Sequence, residues 1–258
     1  MRSIRASLNW YDGLFLLLAF AGVLLYVQTA NGGFPLDDSW IHQVYGRNLA
    51  QHGEWAFVPG ESSAASTAPL YTLLLASGHA MNVDDALWAH LLGALALAAT
   101  ASLGARLAHR IIDDAYTPVV TGLALIVTWH LLWAAASGME TMLFGMWTLA
   151  LIGSVWREDG ERHGLGMRGA LFGVIAALAT LTRPEGVLLA GLCGLTLWVA
   201  RPGNMKWRDV QIWSASAAVS FLAAMMPYLL LNLDLTGGLL PSTAEAKYAQ
   251  HAPILAES

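Results

Sequence analysis

Apolar residues dominate this chain in long unbroken runs. Runs near 13–30, 86–108, 117–136, 140–156, 168–183, 185–201 and 211–232 approach the ~20 residues of helix needed to cross ~30 Å of hydrocarbon. The pattern predicts an all-α, polytopic transmembrane helical bundle of about seven spans. A shorter run, 69–81, holds Pro69, Ser77, Gly78 and His79 and is read as a re-entrant or interfacial helix. Residues 39–52 place Trp40, Ile41, Val44, Tyr45, Asn48 and Leu49 at i, i+1, i+4, i+5, i+8 and i+9. That spacing predicts an amphipathic juxtamembrane helix lying on the membrane surface and closed by Gly53.

Composition agrees with this class: 56% of residues are hydrophobic, 12% are charged and the mean hydropathy is +0.53. A soluble domain carries roughly twice that charge fraction. The single cysteine, Cys193, lies in an apolar run, which excludes an intramolecular disulfide and a cysteine-based metal site. No basic run points to nucleic acid. The first apolar run is read as a retained signal anchor, because Leu14 to Val27 is long for a cleaved leader and Gln28-Thr29-Ala30 is a poor cleavage site.

Charge sets the expected sidedness. With a cytoplasmic N-terminus and 69–81 not crossing, ten of the 13 Lys and Arg residues fall inside, as the positive-inside rule requires. Arg47, Arg183 and Lys247 are left outside, among many carboxylates. The chain is thus read as one integral-membrane module over 1–258, with a first extracytoplasmic loop over 31–85 and an extracytoplasmic tail over 237–258. Its expected location is the plasma (inner) membrane.

Candidate chemistry collects on that outer side. Asp37 and Asp38 precede the amphipathic helix. One of them can cap it through its carboxylate, but two exceed that need. Arg183-Pro184-Glu185 interrupts an apolar stretch, and the proline predicts a tight hairpin between spans. An arginine at that depth suits a lipid phosphate. Glu140, in Ser137-Gly138-Met139-Glu140-Thr141, is either a helix-start carboxylate or a site residue. Asp84-Asp85 and Asp113-Asp114 are read as cap or boundary residues, and the eight histidines show no metal-ligand spacing.

Several segments carry a resemblance: Leu36-Asp37-Asp38-Ser39-Trp40-Ile41, Tyr45-Gly46-Arg47-Asn48-Leu49-Ala50, Phe57-Val58-Pro59-Gly60-Glu61, Thr67-Ala68-Pro69-Leu70, Ser137 to Thr141, Thr182 to Gly186, and Leu240-Pro241-Ser242-Thr243 with Ala246-Lys247. In this order they resemble the GT-C membrane glycosyltransferases, in the branch of arabinofuranosyltransferases and mannosyltransferase-like proteins. Ala68 stands where that branch usually has Asn, and Met139 where it has Leu. Members are usually longer, so the resemblance implies an N-terminal module, a truncated member or a half completed by a partner subunit.

The resemblance implies inverting transfer of a sugar from a polyprenyl-phosphate donor. The acceptor is a cell-envelope glycan, glycolipid or protein at the outer membrane face. Asp37 or Asp38 is then the catalytic base, with Asp37 preferred. Tyr45, Arg47, Glu140, Arg183, Glu185, Thr243 and Lys247 are the substrate-binding candidates. Asp37, Asp38 and Glu140 are candidate ligands of a divalent cation, Mg or Mn. Two alternatives stay open: a non-catalytic scaffold or partner subunit with the same fold, and a transporter with a helix break at Arg183-Pro184-Glu185.

Overall fold

The computed structural model describes residues 9–29, 33–64, 66–155, 164–200 and 205–239. Thr243 and Lys247, with most of the expected tail, lie outside these described residues. The chain is all-α: 79% of the described residues are helical, with one small β-hairpin among them. Among the described residues the order is α1 (Trp10–Thr29), α2 (Asp38–His52), β1 (Ala56–Val58), β2 (Glu61–Ser62), α3 (Pro69–Ala80), α4 (Asp85–Ile111), α5 (Thr117–Val127), α6 (Trp129–Ala136), α7 (Thr141–Val155), α8 (Leu165–Thr182), α9 (Gly186–Val199) and α10 (Trp207–Thr236).

Four of these helices, α1, α4, α8 and α10, are long and apolar enough to cross a membrane. The remaining three expected spans do not reach that length as single helices. The run 117–136 breaks at Thr128 into α5 and α6, bent by 60°, so at most one more crossing comes from that pair. Helices α7 and α9 have 15 and 14 residues, about 22 and 21 Å, short of the ~30 Å hydrocarbon core. Segment 69–81 forms the 12-residue α3, too short to span, as expected.

The chain divides into two compact units, 1–36 with 86–149 and 37–85 with 150–258. In the first, α1 buries Phe15, Ala19 and Val23, an i, i+4, i+8 stripe, against α5 and α6. Small residues allow the close approach: a Cβ on Gly122 would collide with the Phe15 ring, and one on Gly93 with the Ala135 carbonyl. Near its start, α1 carries Asp12, whose Oδ2 accepts from Arg106 Nη2 at 2.7 Å and from the Asn9 amide at 2.8 Å. At its far end Tyr26 packs at a tilt on Trp129, with centroids 5.4 Å apart.

Outside the spans, Asp114 receives the Tyr116 and Thr117 amides and the Thr117 hydroxyl at the start of α5. The Thr117 hydrogen bonds hold its carboxyl below the ordinary value of 3.8. Asp114 is thus a cap, as read from sequence.

In the second unit, α8 and α10 form a glycine-lined seam. A Cβ on Gly169 would strike the Trp213 carbonyl, and one on Gly173 the Ala217 carbonyl. The Ser220 hydroxyl donates across the seam to Ala170 O at 2.9 Å, and Phe172 packs on Trp213 at 4.7 Å. Helix α9 packs on α8, while α3 packs on both α2 and α8. Thus the α2–hairpin–α3 layer and the α8–α9–α10 group belong to one body.

Candidate functional site

Helix α2 begins at Asp38 and ends at Gly53, which adopts φ +70° and returns its N–H to Leu49 O at 3.0 Å. Both ends fall where the sequence puts them, but its orientation differs from expectation. Tyr45 and Asn48, expected on the membrane-facing stripe, are buried with Ser39, His42, Gln43 and Gly46. Gly46 lets α3 approach, since a Cβ there would sit 3.1 Å from Ala76 N and Leu75 Cβ.

The partners of these buried polar groups explain the orientation. Asn48 Nδ2 donates to the carbonyls of Ala56 and Phe57 at 2.9 and 3.1 Å, fastening the hairpin to α2. Tyr45 shares a 2.6 Å hydrogen bond with the Ser63 hydroxyl and packs on Trp55 and Phe57. Ser66 bridges His42 Nδ1 at 3.4 Å and the Thr72 hydroxyl at 2.9 Å. Gln43 donates to Asp85 O at 3.2 Å, and His79 Nδ1 lies 3.1 Å from the Asp85 carboxylate. A polar group buried without a partner costs about 1–3 kcal/mol, so these bonds fix which face of α2 turns inward.

Tyr45 is therefore a core residue of the layer. The sequence signal for this network was the run Ser39, His42, Gln43 and Gly46 at i, i+3, i+4 and i+7. Small and polar side chains at helical spacing mark a polar inner face.

The aspartate pair sits on the opposite terms. Asp37 occupies the N-cap position, but its backbone is helical (φ −65°, ψ −32°) and its side chain makes no capping bond. Asp38 opens the first turn, and both residues are exposed. Capping thus does not occupy either carboxylate, contrary to the simple reading. Both negative charges lie at a helix N-terminus, where the dipole favours them. Arg47 is also exposed, nine residues beyond Asp38. Helical geometry puts it ~14 Å along the axis and about half a turn round, so α2 itself does not bring the two together.

Arg183 ends α8 in an extended conformation (φ −149°, ψ 138°), and its N–H bonds Ala179 O at 2.9 Å. Gly186 then closes the turn onto Arg183 O at 2.9 Å; a Cβ there would meet the backbone of Ala179 and Thr180 at 2.5 Å. The predicted hairpin is thus present. Within it Arg183 Nε lies 3.7 Å from the Glu185 carboxylate, with Arg183 half-buried and Glu185 exposed. An exposed pair of this kind contributes at most about 1 kcal/mol. Beside the hairpin, an open apolar groove of about 230 Å³ runs between α8, α9 and α10, lined by Phe172, Ala176, Val187, Ala190, Ala217 and Phe221. A second groove, about 400 Å³, continues along Gly191, Gly194, Leu195 and Trp198.

Glu140 belongs to the first unit and is only 5% exposed. It ends a turn in which Met139 N–H donates to the Ser137 hydroxyl at 3.2 Å and Gly138 takes φ +73° beneath the Phe34 ring. Its main-chain carbonyl accepts the first α7 bond, from Phe144 at 2.9 Å. It is a buried carboxylate at the start of α7.

Among the described residues no group of three or more His, Cys, Asp or Glu side chains is placed to hold a metal ion. Of the expected cation ligands, Asp37 and Asp38 belong to the second unit and Glu140 to the first, and no step is assigned to a metal. What the second unit offers is two unengaged carboxylates on α2, an arginine at the α8–α9 turn and an apolar groove starting beside that turn. No family model, curated protein or solved structure matches the chain.

Proposed function

We propose that this membrane protein is an inverting glycosyltransferase of GT-C type that moves a sugar from a polyprenyl-phosphate donor to an acceptor at the extracytoplasmic face of the plasma membrane. The observation that carries this reading is the exposed Asp37–Asp38 pair, held at a helix N-terminus with neither carboxylate engaged in capping. A carboxylate in that setting can take the proton of an attacking acceptor hydroxyl. Attack at the anomeric carbon then forms the new glycosidic bond, breaks the bond to the prenyl phosphate and inverts the centre in one displacement.

The leaving phosphate needs positive charge, and Arg183, in the turn four residues before the groove-lining Val187, is assigned to supply it. Val187, in the first turn of α9, lines that groove, so an isoprenoid tail laid along α9 would present its phosphate toward the α8–α9 turn. The short α7 and α9 and the bent α5–α6 pair are read as shortened crossings. This keeps seven passages, a cytoplasmic N-terminus and an outer position for α2.

Separate Asp37→Asn and Asp38→Asn variants, assayed in membranes for transfer from polyprenyl-phosphate sugars, test the assignment. One of them should lose at least about 100-fold in turnover, the usual contribution of a general base, while its folding is unchanged. Full activity in both variants sinks the base assignment. No transfer by the intact chain with any such donor favours a scaffold subunit.

A further inference from the structure

The outward face of α2 is not that of a helix lying on hydrocarbon. Ser39, His42, Gln43, Tyr45, Gly46 and Asn48 turn inward, which leaves Asp37, Trp40, Arg47 and Gln51 exposed, with Val44 half-buried between them. These positions recur at i, i+3, i+7, i+10 and i+14, one stripe along the helix. A stripe that meets acyl chains is built of aliphatic and aromatic side chains. This one sets a single indole among a carboxylate, a guanidinium and an amide.

That indole, Trp40, is 49% exposed, and the backbone fixes its place relative to the aspartate pair. Asp37 already has helical dihedrals, and its carbonyl accepts the Trp40 N–H at 3.0 Å. Residues three apart on a helix are face neighbours, with Cβ atoms about 5–6 Å from each other, whereas residues two apart do not face one another. Trp40 therefore shares a face with Asp37 and not with Asp38. Arg47 follows on the same stripe, ~10 Å further along the axis and within about 20° of Trp40 round it.

We propose that Trp40 binds the acceptor by stacking on one face of a sugar ring, so that the acceptor is a carbohydrate rather than the hydroxyl of a protein side chain. This rests on the sugar-transfer reading above and names the substrate class of the same site. The C–H groups on a sugar's face carry slight positive charge and meet the negative face of the indole, while the hydroxyls at the ring edge stay with water and the charged neighbours. A ring held against Trp40 brings a hydroxyl toward Asp37, one helical turn away, where its proton is taken. Trp40 is thus a binding residue for the acceptor alone.

The probes are methyl mannopyranoside and methyl arabinofuranoside, added to the full chain in phosphatidylcholine nanodiscs. Saturation-transfer NMR reads their binding, and the transfer assay reads acceptor and donor KM separately. Trp40→Leu and Trp40→Gln both remove the ring, whereas Trp40→Phe keeps one. Leu and Gln should each weaken glycoside binding and raise the acceptor KM about five- to tenfold, with donor KM and helical circular dichroism unchanged, and Phe should recover most of the loss. A membrane anchor would tolerate Leu and not Gln, and that pattern overturns the inference. So do equal glycoside binding in all four proteins, no glycoside binding by the intact chain, and a rise in donor KM instead of acceptor KM. If transfer persists in any of these cases, the glycosyltransferase reading survives without Trp40. Ring-dependent binding without transfer does the reverse: the stacking stands and the transferase reading fails.

Discussion

The α8–α10 seam and the α2–hairpin–α3 layer lie in one unit, yet they are held together by opposite means. The seam has almost no polar chemistry: Gly169 and Gly173 bring two helices to backbone contact, and Ser220 adds one hydrogen bond. Close van der Waals packing of small residues is how helices associate where lipid removes the hydrophobic driving force between them. The layer instead buries hydrogen-bonded amides and hydroxyls: Tyr45 with Ser63, Asn48 with the Ala56 and Phe57 carbonyls, Ser66 with Thr72 and Gln43 with Asp85 O. Shape specifies the first region, and hydrogen-bond direction specifies the second. A candidate base needs a fixed orientation more than it needs burial, and the Asp37–Asp38 pair is mounted on the directional one.

The largest break in this comparison should come from Gly173→Leu. Its side chain would enter the space of the Ala217 carbonyl and the Ser220 hydroxyl, and backbone cannot yield as a flexible side chain can. Overpacking of this kind costs about 1–3 kcal/mol or more, visible as a large fall in the thermal midpoint of helical circular dichroism in detergent. Next comes Asn48→Ala, which leaves the Ala56 and Phe57 carbonyls without their donor. About 1–3 kcal/mol is expected, together with faster amide exchange in the hairpin and no change at the seam. The smallest effect belongs to Gly191→Ala, because nothing lies within 4 Å of the added methyl. A helix-interior glycine replaced by alanine gains up to about 1 kcal/mol, so its midpoint should stay level or rise. A large fall there would mean that the α9 face is packed, and the contrast between glycine positions would vanish.

Much of the helix placement was legible in the sequence, because long apolar runs and a few punctuating residues set it. Gly53 ends α2 and Arg183-Pro184-Glu185-Gly186 forms a hairpin for local reasons that no tertiary contact overrides. The break at Thr128 was not legible. Val127-Thr128-Trp129 contains neither proline nor glycine, and the break shows only in three dimensions, where Thr128 is extended and its hydroxyl bonds Ala124 O at 2.6 Å.

The inward face of α2 was misread for a related reason. In a lipid-facing chain apolarity does not separate inside from outside, so the stripe with Tyr45 was given to the membrane although hydrogen bonding turns it to the core. Of the site, the aspartate pair and the arginine turn were legible as charges out of place in apolar sequence. Their spatial relation was not, because it depends on how α3 seats on α8, which no local pattern encodes. The burial of Glu140 likewise follows from the Gly138 turn under Phe34, a contact between residues a hundred positions apart.

Helix α9 has one more consequence. Its 14 residues give ~21 Å of apolar length against a ~30 Å hydrocarbon core, a mismatch that lipids around it accommodate by thinning. On the topology proposed above, with α9 as a crossing, headgroups and water would be drawn down beside it, and the Arg183 turn would meet phosphate-rich, hydrated surroundings at a depth where an ordinary bilayer offers only acyl chains.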